Sequence, residues 1–476
     1  MLFHTFTFAA FFVIVIAVIA ATPQPLARKV ILLAASYLFY GWASPLFLLP
    51  LLITTTVDFA VGLLLDRENR PSQRRALLAA SIVANLGLLA WFKYFGFFAD
   101  NVAALFRTIG WQADPFTLKI LLPVGISFYT FHAMSYTIDV YRRQIAACRS
   151  PLDFALFITF FPVLVAGPIL RARQFLPQLA QPLRIRIGTS AVLLIVRGYA
   201  KKVLIADNVA VLPDVVFANP SIWPGLVIWV ATIAFAVQIY CDFSGYSDVA
   251  RGLASIFGLE VPLNFDRPYL ARNPSDFWRR WHISLSSWLR DYLFIPLGGS
   301  RDSEWKTSRN LMITMLLGGL WHGASWNFVL WGAMHGVLLV VHRPFRRHAA
   351  VARTGISRIV RAAGGWVAFQ YALLVTWIAF RVQDFSAMKV AMTKFLLPDF
   401  SAPLYNLGLT HISLVTTVTL IVGFMVLHIW SHLHGDLDER LARLPLIPLC
   451  VVAAMIGAAF LLFWPSVERP FIYFQF

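Results

Sequence analysis

The chain has 476 residues, 59% of them hydrophobic and only 13% charged. With a mean hydropathy of +0.70, that composition excludes an ordinary soluble domain. The formal net charge is +17, but the basic residues fall between apolar runs long enough to cross a bilayer. They read as loops that set topology and meet anionic lipid, and not as a nucleic-acid surface.

Three cysteines, Cys148, Cys241 and Cys450, lack Cys-x-x-Cys spacing and give neither a disulfide framework nor a zinc site. The first apolar run, from about Phe6 to Ala21, has no basic residue before it, and Arg28-Lys29 follow. It reads as an uncleaved first span with its N-terminus outside. Spans at about 30–42 and on to Leu65 lead to Arg67, Arg70, Arg74 and Arg75, a loop the positive-inside rule places in the cytoplasm. A span at about 76–95 reaches an outer loop with Asp100, Arg107 and Asp114, and the run from Leu118 to Ile138 returns to Arg142, Arg143 and Arg149.

The stretch from Phe154 to Leu170 carries Pro162 and Pro168 and is too broken for a plain helix. Such backbone survives in a membrane only when protein shields it or it lines a cavity. Apolar runs near 188–205 and 223–241 follow, then a polar region from about Asp242 to Arg309. After an apolar run at 311–342 comes the most basic loop, with Arg343, Arg346, Arg347, Arg353, Arg358 and Arg361. Spans near 365–380, 411–430 and 446–464 close the chain. The expectation is an all-α polytopic integral membrane protein with about eleven or twelve crossings, residues 1–476 forming a single integral membrane domain without repeats.

Two stretches carry chemistry. In the first, Asp276 to Tyr292, a spacing of 100° per residue puts Trp278, Trp281, Leu285, Trp288 and Tyr292 on one side of a helix. Arg279, His282, Ser286 and Arg290 fall on another. That pattern predicts an amphipathic helix at the cytoplasmic interface, either as an anchor or as a wall where Arg279, Arg280 and Arg290, with Asp291 beside them, meet an anionic substrate. In the second, Gly318 to Gly336, His322 lies in an apolar run among glycines and tryptophans. A buried imidazole needs a reason there. Trp321 is a candidate tunnel-lining residue, and Asn327 is a candidate to orient His322, although five residues is a poor helical match. On one ideal helix His335 is rotated by about 220° from His322 and faces elsewhere. Asp242 and Asp248 border an apolar run and read as ion-paired or path-lining carboxylates.

The run from Asp276 to Gly299 closely resembles the membrane-bound O-acyltransferase family, within it the bacterial alginate O-acetylase branch. Gly-Gly-Leu-Trp-His-Gly-Ala at 318–324 is similar to that family's signature. The resemblance extends to residues 122–131, 166–169, 242–248 and the terminal Phe471–Phe476. It implies a tunnel through the membrane, ringed by transmembrane and re-entrant or interfacial helices, with an acyl donor on the cytoplasmic side. It also implies His322 as the catalytic histidine and His282 as the second. The implied setting is the bacterial inner membrane, with periplasmic polysaccharide-acetylation proteins, the polysaccharide and membrane lipid as partners.

These residues suit acyl transfer. A thioester donor is already activated, so the missing part is a deprotonated hydroxyl, and a neutral histidine serves as its general base. No Ser-His-Asp arrangement or nucleophile elbow is present, which favours direct transfer from acetyl-CoA or another acyl thioester. No bound cofactor and no metal are expected, because no His/Asp/Glu set has ligand spacing. The alternatives are D-alanyl or other acyl transfer to an envelope polymer or lipid and, in a different class, a membrane transporter. Because its donor and acceptor come from opposite sides, His322 is expected deep in the membrane.

Overall fold

A computed structural model describes residues 1, 3–111, 121–301, 303–348, 356–399, 411–464 and 469–472. Asp114, Arg353 and residues 473–476 of the terminal motif lie outside them. The described residues form helices and no strand, as the hydropathy predicts. They fall into two compact units, Met1–Ala191 with Ala250–Pro262, and Val192–Val249 with Leu263–Phe476.

In the first unit, α1 (Phe6–Ala21) starts at Thr5, whose hydroxyl accepts the Phe8 N–H. Pro25 opens α2 (Pro25–Gly41), where a missing N–H costs nothing. Then come α3 (Leu48–Arg67), α4 (Pro71–Leu89), α5 (Phe95–Thr108) and α6 (Ile126–Tyr141). Between α4 and α5 the backbone widens into a π-helical turn, Ala90–Tyr94. The proline-broken stretch becomes α7 (Pro151–Thr159) and one short turn, α8 (Phe161–Leu164), before α9 (Ala172–Leu179). Residues 154–170 are all buried in protein, the shielding that irregular backbone requires in a membrane. Phe11, Phe39 and Phe161 pack around the break, with Phe161 5.5 Å from each of the other two rings. Lys29 pairs with Asp153 at 2.7 Å.

In the second unit, α10 (Thr189–Tyr199) runs into another wide turn, Ala200–Ala206, then α11 (Asp207–Val209), α12 (Val211–Ala218) and the 32-residue α13 (Gly225–Ile256). The last turns of α13 belong to the first unit. Next are α14 (Pro274–Arg280), α15 (Ile283–Leu289), α16 (Glu304–His322), α17 (Trp326–His348), α18 (Ile356–Arg381), α19 (Phe385–Leu396), α20 (His411–His434), α21 (Leu437–Leu441) and α22 (Leu446–Phe463). Asp248 of α13 is held by Arg197 at 2.9 Å and Lys201 at 2.7 Å. Asp242 is held by Lys202 at 2.8 Å and by the Ile472 N–H at 2.6 Å. Both carboxylates are thus committed to structural pairs, as buried charges in a membrane protein must be.

Seven helices among the described residues are long and apolar enough to cross a membrane, the first over Pro45–Arg67 and the last over Leu446–Phe463. Other expected crossings are shorter or interrupted. The 188–205 run divides into α10 and its wide turn, and the 118–138 run yields the 16-residue α6. The 311–342 run is two helices, α16 and α17, folded back on each other at Gly323–Ser325. Glycines permit that approach. A Cβ on Gly319 would fall on the Phe328 carbonyl oxygen and 3.0 Å from the Gly332 Cα, and one on Gly332 would fall on the Met315 carbonyl oxygen.

Candidate active site

The expected amphipathic helix from Asp276 to Tyr292 is not continuous. It stops at Arg280, and His282 takes a left-handed conformation, φ 42°, before α15 begins. Asn264 makes this break possible. Its carbonyl oxygens receive the Ile283 N–H at 2.9 Å through the main chain, and the Ser284 hydroxyl at 2.9 Å through the side chain. The same side-chain oxygen lies 3.1 Å from His282 Nδ1. An amide oxygen only accepts, so Nδ1 carries the proton and Nε2 is the basic nitrogen.

The break corrects the expected face assignment. His282 leaves the arginine side and is fully buried, together with Trp281 and Trp288. Its ring meets Phe243 at 4.7 Å and Trp321 at 5.9 Å. Burial pushes the imidazole pKa down to about 3, which keeps it neutral at physiological pH.

His322 is the last residue of α16 and is 4% exposed. Its ring sits among Trp321 at 5.1 Å, Trp331 at 4.9 Å, Phe380 at 5.3 Å and Phe328 at 6.5 Å. The fold-back at Gly323 brings α17 alongside and so supplies Phe328 and Trp331, while α18 supplies Phe380. Trp321 therefore touches both imidazoles. The structure brings together His282, Trp321 and His322, three of the residues singled out in the sequence.

The others stand apart in their partners. The Asn327 amide donates to the Val382 carbonyl and lies 3.6 Å from Met388 Sδ, tying the start of α17 to the end of α18. Arg280 pairs with Asp276 at 3.0 Å and Asp266 at 3.6 Å. Arg290 pairs with Asp291 at 2.7 Å, and its side chain is 61% exposed, while that of Arg279, 3.5 Å from Asp276, is 69% exposed. Arg279 and Arg290 thus keep guanidinium surface open, and Arg280 is spent on carboxylates. His335 does not face away from His322 as a single helix requires. With the helix folded back, it packs 4.6 Å from Trp331, the same indole that His322 touches.

The model of the membrane-bound O-acyltransferase family matches residues 33–382. The chain belongs to that family. It is 38% identical over 408 residues to a protein of Azotobacter vinelandii described as "Probable alginate O-acetylase AlgI", covering 85% of this chain and 79% of the relative. A Pseudomonas aeruginosa protein of the same description is 41% identical over 364 residues, covering 75% and 67%. A peptidoglycan O-acetyltransferase of Helicobacter pylori is 35% identical over 401 residues, covering 78% and 74%. The resemblance read from the motifs is borne out, and with it the chain is a multi-pass membrane acyltransferase, which sets the transporter reading aside. Among the described residues no group of three or more His, Cys, Asp or Glu side chains could hold a metal ion.

Sequence reasoning missed Asn264 and Phe380, and it gave Phe243 no role beyond its place in the 242–248 motif. None lies within fifteen residues of the histidine it serves, so periodicity had no means of finding them. Asn264 is a positioning residue with a direct test. Asn264→Ala removes the acceptor that fixes the His282 tautomer and is expected to lower acyl transfer about tenfold or more. Asn264→Asp restores the acceptor and should recover most of the rate. Equal loss in both variants, at matched membrane levels, would show that the contact only stabilises the fold.

Proposed function

We propose that this chain is an O-acetyltransferase of the bacterial inner membrane that passes acetyl groups from a cytoplasmic thioester donor to an exported polysaccharide. The observation that carries the reading is the pair of buried histidines that both contact Trp321, in a chain similar, over most of its length, to alginate O-acetylases. An alginate-like exopolysaccharide is the first acceptor to consider. The likeness to the Helicobacter pylori relative makes peptidoglycan the second.

His322 serves as general base. Its basic nitrogen takes the proton of the acceptor hydroxyl as the oxygen attacks the thioester carbonyl carbon. The C–S bond then breaks, and the departing thiolate recovers the proton from the imidazolium. Aromatic walls exclude water, which suppresses hydrolysis of the thioester. His282, neutral and locked in one tautomer, supports the donor side. Arg279 and Arg290 meet the anionic part of the donor, while periplasmic acetylation proteins receive or complete the transfer.

The test supplies purified protein with radiolabelled acetyl-CoA and, separately, with an acyl-loaded carrier protein. Label passing from acetyl-CoA to a hydroxyl acceptor supports the reading. Transfer only from the loaded carrier would replace acetyl-CoA with a carrier-borne donor, and a labelled product that partitions into lipid would make the acceptor a lipid.

A further inference from the structure

The first unit contains a polar cluster that acyl transfer does not use. Asp58 of α3 is fully buried and lies within the apolar span Pro45–Arg67, nine residues before Arg67, or about 14 Å along the helix. Its Oδ1 accepts from the Ser81 hydroxyl at 2.5 Å and the Thr137 hydroxyl at 2.6 Å. Its Oδ2 accepts from the Asn85 amide at 2.6 Å. The three donors come from α4 and α6, and all are neutral.

A carboxyl group buried in an apolar span is neutralised by a positive charge, a proton or a cation, and the three side chains bonded to Asp58 are all neutral. A carboxylate has roughly four acceptor positions, and these three bonds leave one. Two further buried oxygens belong to Asn85, which bonds Asp58, and to Thr54, one helical turn before it. Asn85 Oδ1 belongs to the amide already bonded to Asp58, and the residue is 1% exposed. Thr54 precedes Asp58 by one helical turn on the same face and is 2% exposed. Both Asn85 Oδ1 and Thr54 Oγ1 are buried without a hydrogen-bond partner. A proton on Asp58 would satisfy one of them at most.

From this arrangement we propose that Asp58, Asn85 and Thr54, backed by Ser81 and Thr137, form a binding site for a monovalent alkali cation of the size of Na⁺. All the available ligands are hard oxygens. A single carboxylate balances a single positive charge, whereas a divalent ion would leave net charge in the span. The bound ion joins α3, α4 and α6, whose close packing is already visible at Gly62. A Cβ there would fall on the Tyr136 hydroxyl.

The test uses the full-length protein in detergent, with its melting temperature followed in NaCl, KCl or choline chloride at one ionic strength. A saturable rise of a few degrees in Na⁺ over choline is expected, and Asp58→Asn should abolish the response. Thr54→Val keeps the carboxylate and should shift the midpoint to higher Na⁺, which preserves the test if Asp58→Asn does not fold. Equal melting temperatures in all three salts, or an undiminished response in either variant, would overturn the proposal. So would stability that rises only as the pH falls, since a proton would then be the neutralising charge.

Discussion

His322→Ala should abolish O-acetylation of the polymer while the protein still accumulates in the membrane. A general base typically contributes about 10²–10⁴-fold, and this one has no substitute at hand. Trp321, Phe328, Trp331 and Phe380, which surround the ring, carry no group able to take a proton from a hydroxyl at neutral pH. His282 touches the same indole, but burial depresses its basicity, so it is not expected to stand in for the missing base. Truncation to alanine also opens a cavity among four aromatic rings, which invites the objection that the fold is lost. His322→Gln meets it, because it keeps most of the volume and the hydrogen-bonding capacity but has no basic nitrogen. Both variants should show the same loss of O-acetyl content at wild-type membrane levels. Unchanged acetylation in either would end the assignment.

Gly319→Ala should destabilise the hairpin of α16 and α17. The added Cβ meets main-chain atoms of α17, the Phe328 carbonyl oxygen and the Gly332 backbone, and no rotamer change can move those aside. Overpacking of this kind costs about 1–3 kcal/mol, or roughly 1–3 °C in the melting temperature of a chain this long. His322 follows three residues later, so the hairpin cannot splay without displacing it from Trp331 and Phe380. Activity should therefore fall together with stability. Gly457→Ala on α22 is the control, since a Cβ there meets nothing within 4 Å. Equal melting temperatures for the two variants would show that α16 and α17 tolerate separation.

The class of the protein and its central histidine were legible in the sequence because hydrophobic runs and a dense motif are local properties. The irregularity of the 154–170 stretch also followed from local chemistry, since two prolines in an apolar run leave main-chain groups that protein must shield or a cavity must hydrate, and the structure shows the first. The arrangement around the histidines was not legible in the same way. At 276–292 the apolar and basic faces were real, but the chain turns left-handed at His282. The polar face therefore loses its histidine to the interior. That turn depends on Asn264, eighteen residues earlier, and no periodic pattern encodes it. In the 311–342 run, hydropathy alone does not register a reversal made by Gly323, Ala324 and Ser325. His335 was assigned to the wrong side for that reason.

Three wide turns, Ala90–Tyr94, Ala200–Ala206 and Arg290–Phe294 at the end of α15, have a consequence for comparing this chain with its relatives. At Arg290–Phe294 the Ile295 N–H reaches back five residues to the Arg290 carbonyl, and Asp207 does the same to Lys202. Each such turn holds one more residue than an α-helical turn of the same length. Every side chain beyond it is rotated by about 100° from where uninterrupted winding would put it. A relative lacking one residue in such a turn regains that winding with the flanking helix faces unchanged. Single-residue gaps that align with 90–94, 200–206 or 290–294 thus represent a change of winding, and the surfaces on either side remain equivalent.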